Sequence, residues 1–125
     1  MTNENAITVD VESSYVEIQS EPDLERFVFA YTITLTNDGD VPARLVSRHW
    51  VITDANDEVR EVKDIGVVGK TPRIDPGKSF TYRSHAVLET PYGLLQGSYQ
   101  MITDDGQEFN ALVPDFNVIA PDFLH

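Results

Sequence analysis

The chain has 125 residues, no cysteine and a formal net charge of −12, from 21 acidic against 9 basic residues. That length suits one domain spanning 1–125, and the missing thiols exclude disulfides, thiolate catalysis and cysteine-type zinc sites. Nucleic-acid affinity rests on Lys and Arg neutralising phosphates, and the basic residues run only from Arg26 to Arg83, so no nucleic-acid partner is expected.

The first four residues are too polar to open a signal peptide, and no apolar run approaches the ~20 residues of a membrane helix. A cytoplasmic protein with no membrane insertion is the expectation. The elements begin with Ile7, Val9 and Val11 in one phase and Val16 and Ile18 in the other, which predicts a strand with a bulge near Ser13-Ser14. Phe27, Phe29, Tyr31, Ile33 and Leu35 then alternate with small or β-favouring residues, the pattern of a strand with one large apolar face. Asn37-Asp38-Gly39-Asp40 ends it. The next strand runs about 43–53 behind Pro42, with Arg44, Val46, Arg48, Trp50 and Ile52 expected on one face and Leu45, His49 and Val51 on the other. A turn at 54–57 leads into a short strand at 59–62.

Asp75-Pro76-Gly77-Lys78 is a turn in which Pro presets the first corner and Gly permits the second. Phe80, Tyr82, Ser84, Ala86 and Leu88 alternate as a strand, which Thr90-Pro91-Tyr92-Gly93 breaks. The best helical candidate is one turn at 91–96. Tyr99 and Met101 begin another strand, closed by Asp104-Asp105-Gly106. Phe109, Ala111 and Val113 form the last, and Pro114 resets its phase to Phe116 and Val118. About seven short strands predict an all-β antiparallel sandwich. Leu95-Gln96-Gly97-Ser98-Tyr99 resembles a tyrosine corner, which favours an immunoglobulin-like topology. Trp50 and the strand aromatics read as core.

The chemistry candidates are few. Gly66, Val67, Val68, Gly69, Lys70 and Thr71 nearly match two phosphate-binding motifs, but both need glycine at 64, where Asp64 stands, and both need a following helix, which Pro72, Arg73 and Ile74 preclude. His49 and His85 lie mid-strand and form a weak metal candidate should their strands adjoin. Asp54, Asn56 and Glu58 lack the remaining features of a calcium loop. No nucleophile elbow is present, and Asp104-Asp105 suits a hairpin turn, so the chain is expected not to be an enzyme and to carry no cofactor. The apolar C-terminal residues, Phe123 and Leu124 among them, suggest docking onto the domain or a second copy.

Phe27-Val28-Phe29-Ala30-Tyr31-Thr32-Ile33, Arg48-His49-Trp50-Val51-Ile52-Thr53, Gly66-Val67-Val68-Gly69, Leu88-Glu89-Thr90-Pro91-Tyr92-Gly93 and Gln96-Gly97-Ser98-Tyr99-Gln100-Met101 together closely resemble the bacterial ApaG (CorD-like) family. The resemblance implies a fibronectin type III-like sandwich in a small cytosolic protein linked, in some bacteria, to cobalt resistance and magnesium efflux. It also implies a gene near a diadenosine-tetraphosphate hydrolase and a ribosomal RNA methyltransferase. Related eukaryotic domains, in F-box and DNA-polymerase-interacting proteins, look like protein-binding modules. The family's glycine motif is usually Gly-x-Gly-x-x-Gly, from which Asp64 departs, and the family brings no catalytic residues.

The leading expectation is therefore a non-enzymatic interaction module with an unidentified protein partner. Its binding loop would comprise Gly66, Val67, Val68, Gly69, Lys70 and Arg73, and its partner surface Glu89, Thr90, Pro91, Tyr92, Gly93, Phe123 and Leu124, with the rest of 88–97 beside them. A homodimer through an edge strand or the C-terminal tail is a further expectation. The alternatives are a divalent-cation protein acting directly in cobalt and magnesium homeostasis, with acidic residues or His49 and His85 as ligands, and phosphate or nucleotide binding at the Gly66 to Gly69 loop.

Overall fold

The computed structural model describes residues 6–121, and the apolar alternations in that stretch become strands. Seven are long: β1 (Ile7–Tyr15), β2 (Phe27–Asn37), β3 (Ala43–Asp54), β4 (Val59–Ile65), β6 (Ser79–Leu88), β7 (Tyr92–Thr103) and β8 (Glu108–Ile119). A two-residue β5 (Arg73–Ile74) and two 3₁₀ turns (Glu17–Gln19 and Pro22–Leu24) complete the elements. The ladders are all antiparallel. One sheet has the order β1-β2-β6 and the other β4-β3-β7-β8, with β5 pairing β3. In the immunoglobulin constant arrangement the fourth strand joins the sheet of the first two. Here β4 stays beside β3, which is the fibronectin type III variant. Among the described residues no helix is long and apolar enough to cross a membrane.

Period-two alternation places the core. Phe29, Ile33 and Leu35 of β2 and Leu45, Leu95 and Tyr99 of the facing sheet are almost wholly enclosed. At the centre stands Trp50, 3% exposed, whose ring lies 5.6 Å from that of Tyr31 in the opposite sheet and edge-on to Tyr99 and Phe116 at 6.2 and 6.0 Å. Trp50 is paired across the ladder with Gly97. A Cβ on Gly97 would stand 2.6 Å from the indole Cε3, so this position must be glycine for the ring to lie against the β7 backbone.

Four local expectations change. No bulge occurs at Ser13-Ser14: β1 runs in unbroken register from Ile7 opposite Asn37 to Tyr15 opposite Phe29. The phase change reflects the end of the strand, after which Ile18 sits in a 3₁₀ turn, 93% exposed. A bulge does occur in β3, where the pairing with β7 skips Val46 between Leu45 and Ser47. That step turns Leu45 inward with Trp50 and Ile52 and leaves Val46 exposed, reversing the expected faces. The 91–96 turn is strand, because Tyr92, Gly93, Leu94 and Leu95 pair with β8, and the last three with β3 as well; two ladders override a weak local preference. Tyr99 is no tyrosine corner: its hydroxyl bonds that of Tyr82 across the sandwich, not nearby backbone. The reset at Pro114 does occur, with Val113 opposite Gly97 and Phe116 opposite Leu95.

Burial pushes the Tyr82 hydroxyl up to about 12 and raises Tyr99 as well. An unfolded tyrosine ionises near 10. Folding is therefore indifferent to these groups below pH ~10 and loses stability as pH rises from about 10 towards 12, when only the unfolded chain sheds the protons. Denaturation followed at stepped alkaline pH will show that decline, and Tyr82→Phe/Tyr99→Phe will flatten it. Gly97→Ala will lower the urea midpoint with unchanged m, a loss of about 1–3 kcal/mol from overpacking against Trp50.

Candidate functional site

The loops fall at two opposite ends of the sandwich. One end carries the β2–β3 turn, the 66–72 loop, the 75–78 turn and the β7–β8 hairpin; the other carries the β1–β2, β3–β4 and β6–β7 connections. The two segments picked out by sequence, 66–73 and 89–93, therefore do not form one continuous loop surface.

The glycine loop is a tight structural turn. Val68 and Gly69 both have positive φ, 43° and 77°, and Val67 and Lys70 exchange backbone hydrogen bonds of 2.8 and 2.9 Å around them, the form of a type I′ turn. Gly66, at φ 66°, passes so close to the Lys70 carbonyl that a Cβ would sit 2.3 Å from its oxygen. The Gly66 N–H donates to Val46 O, and its own carbonyl accepts from Arg48 Nη1 at 2.6 Å. Arg48 also meets Asp64 at 3.3 Å, which explains why a carboxylate stands where a phosphate loop needs glycine. The amides of Gly66, Val67 and Lys70 are thus committed to backbone, and β5 follows where both phosphate motifs would place a helix. Val67 is completely buried. Arg73 reaches Asp75 at 2.6 Å and grips Asp104 with two nitrogens. That grip holds the Asp104 carboxyl below its usual range and raises the guanidinium in turn. Lys70 alone of the basic pair is exposed without an ion pair among the described residues.

The histidines do not meet. His49 lies on β3 and His85 on β6, in different sheets, and each projects away from the core. His49 Nε2 lies 2.9 Å from Glu61 Oε2, and this hydrogen bond, with Lys63 nearby at 3.7 Å, lowers the Glu61 carboxyl. Among the described residues no three His, Asp or Glu side chains converge as metal ligands.

In the 89–93 segment, Glu89 and Tyr92 face solvent, Tyr92 being 50% exposed. Thr90 is buried: its Oγ1 donates to Tyr92 O and accepts from the Ala55 N–H, tying two connections together. Pro91 accepts from the Ala120 N–H, and Gly93 is packed beneath Leu88. Phe123 and Leu124 lie outside the described residues.

Sequence reasoning singled out His49 but not its neighbours on the outer face of the four-stranded sheet. By register, Ser47, His49, Val51 and Thr53 of β3 lie beside Leu94, Gln96, Ser98 and Gln100 of β7, and these beside Asn110, Leu112 and Asn117 of β8. Ser47 Oγ donates to Gln100 Oε1 at 2.8 Å, and Gln100 Nε2 donates to Ser98 Oγ at 3.1 Å. Depressions of about 530 Å³, walled by His49, Lys63 and Ile65, and about 670 Å³, walled by Asn110 and Leu112, flank Gln100. Ile65 and Leu112 are 75% and 73% exposed at their rims. Ser47 Oγ is engaged by Gln100, and His49 Nε2 by Glu61. The available signal was the charge-free alternation Leu94, Gln96, Ser98, Gln100 in β7, in a chain otherwise dense with carboxylates.

A model of the ApaG domain matches residues 17–103 of the chain. A protein named ApaG from Thiobacillus denitrificans is 53% identical over 119 residues, covering 95% of this chain and 94% of that protein. Among solved structures, a structural-genomics target superposes with a TM-score of 0.93 at 44% identity, over 99% of this chain and 94% of that one. A putative ApaA protein from Bordetella pertussis gives 0.89 at 42%, over 92% and 94%. With half its residues shared along nearly the whole length and its fold superposing on two solved relatives, the chain belongs to the ApaG domain family.

Proposed function

We propose that this protein is a non-enzymatic interaction module and that the outer face of the β4-β3-β7-β8 sheet is its partner-binding surface. One observation carries the reading: on a chain of net charge −12, the β7 row Leu94, Gln96, Ser98 and Gln100 is uncharged and lies with Ser47 and Asn110 between exposed Ile65 and Leu112, while Arg48, Lys63, Asp64 and Glu108 line the flanking depressions. Depletion of charge at the centre with a polar rim is the composition of protein-binding patches. Glu61, Lys63, Glu108 and Asp115 supply the rim. The face also joins the two segments selected by sequence, since Ile65 opens the glycine loop at one end and Tyr92 starts β7 at the other. Four strands about 4.8 Å apart, each with about four outward residues, offer roughly 500 Å². That is below the roughly 800 Å² per partner of a standard interface and suits a transient partner over an obligate homodimer.

The family link to cobalt resistance and magnesium efflux, in this reading, runs through a bound protein and not through a metal held by His49 and His85, which stand on separate sheets.

Two measurements test these statements. The tagged protein will retain a partner from native lysate at near-stoichiometric yield, and Ile65→Lys/Leu112→Lys, both surface changes, will release it while leaving the circular dichroism unchanged. Recovery of no partner, or equal recovery by the variant, refutes the proposal. Titration with ATP or a diadenosine polyphosphate will leave the NMR amide signals of Gly66, Val67 and Lys70 unmoved, because those N–H groups already serve the turn.

A further inference from the structure

We propose that the β1–β2 connection, residues 16–26, is a preformed prong that docks a basic amphipathic segment of a partner protein. It holds Ile18 and Leu24 in solvent, 93% and 71% exposed, in two consecutive 3₁₀ turns that bury none of their residues. Apolar side chains at such exposure on a floppy loop would mean little. This loop is not floppy, because its backbone is closed by hydrogen bonds at every turn.

In the first turn, Gln19 and Ser20 donate to Val16 O and Glu17 O at 3.3 and 3.1 Å. Ser20 Oγ donates to Val16 O at 2.8 Å and accepts from the Val28 N–H at 2.9 Å, while Val16 N–H donates to Val28 O, so the turn is pinned to β2. In the second, Glu21 and Arg26 exchange backbone bonds of 2.8 and 3.1 Å, and Leu24 and Glu25 donate to Glu21 O and Pro22 O. Glu25 is held at φ 54°, a left-handed conformation that a non-glycine residue adopts only when its surroundings impose it. A hydrogen-bonded loop that displays two large aliphatic side chains, neither of them buried among the described residues, is organised for a contact outside the domain, and binding to it costs little ordering entropy.

Charge specifies the occupant. Glu17, Glu21, Asp23 and Glu25 stand within three residues of Ile18 or Leu24 along the chain, all exposed, and none of the four forms an ion pair among the described residues. Glu89 adds a fifth carboxylate, since it follows Leu88, the ladder partner of Phe27, at the same end. Against these carboxylates stand two cations at this end, Arg26 and Arg60, the latter donating to Val87 O at 3.0 Å. Such a surface repels nucleic acid, anionic membrane and a second copy of itself, and it complements Lys and Arg flanking apolar side chains. The prong shares no residue with the sheet face proposed above and does not depend on it.

A fluorescent cationic Lys/Leu amphipathic peptide, titrated against the whole protein at several salt concentrations, tests the inference. Saturable binding that weakens with salt is expected. Ile18→Ser/Leu24→Ser leaves the charge intact and touches no buried residue, so the fold will persist by circular dichroism while affinity falls by roughly tenfold, the loss of two apolar contacts. Ile65→Lys/Leu112→Lys will still bind the peptide, which separates failure here from failure of the sheet-face proposal. Unchanged affinity in Ile18→Ser/Leu24→Ser would reduce the binding to diffuse charge attraction and overturn the prong. So would the absence of binding at low salt, or self-association that the same variant abolishes, since the occupant would then be a second copy.

Discussion

The sandwich closes around one contact, the face of Trp50 against the bare backbone of Gly97. A single missing Cβ lets the largest side chain of the protein lie down on its neighbouring strand and still reach Tyr31 in the other sheet. Phe116 and Tyr99 then pack edge-on to the indole, as ring quadrupoles prefer. The register step opposite Pro114 serves this arrangement by bringing Phe116 onto Trp50, while the bulge at Val46 turns Leu45 inward further along β3, opposite Met101. The Tyr82–Tyr99 hydroxyl bond is the polar counterpart of the same closure, linking the sheets where the interior would otherwise leave two buried hydroxyls unpaired. The Trp50 indole N–H has no hydrogen bond of good geometry and is the one buried side-chain polar atom so left among the described residues.

A filled interior moves function to the outside, and there the polar residues divide into two kinds. Many of the most chemically suggestive ones are spent on architecture. Arg73 clamps Asp75 and Asp104 across two turns, Arg48 supports the glycine loop through Asp64 and the Gly66 carbonyl, and buried Asn37 donates to Val41 O and Ile74 O while accepting from Gly39. These groups have their partners already. Among the described residues, Glu17, Glu21, Asp23 and Glu25 of the β1–β2 connection enter no ion pair.

The two outer faces are unequal in the same sense. On the β1-β2-β6 sheet, Thr34 bonds Thr81 at 3.0 Å and Thr36 bonds Ser79 at 2.8 Å, so cross-strand hydroxyls satisfy one another. On the other sheet, Gln96 bonds Asp115 at 3.2 Å and Gln100 bonds Ser47 and Ser98, and the exposed Leu112 and the depressions beside Gln100 add apolar area.

The amino-acid sequence by itself determined the class of fold, because side-chain alternation is a local property: Phe27 to Leu35 and Phe80 to Leu88 each declare a strand with an inside and an outside wherever they pack. It also determined the turns at 75–78 and 104–106, whose residues carry their own backbone preferences, and the family, from blocks of identity along the chain. Pairing decided the rest. Whether Leu45 or Val46 faces inward depends on β7 lying alongside, the turn-like 91–96 segment became strand only with a ladder on each side, and Ile18 kept its apolar pattern with no core to enter. The 66–73 and 89–93 segments lie at opposite ends for the same reason: which end of a sandwich a loop occupies is set by strand direction and sheet order, a long-range quantity that no stretch of ten residues encodes.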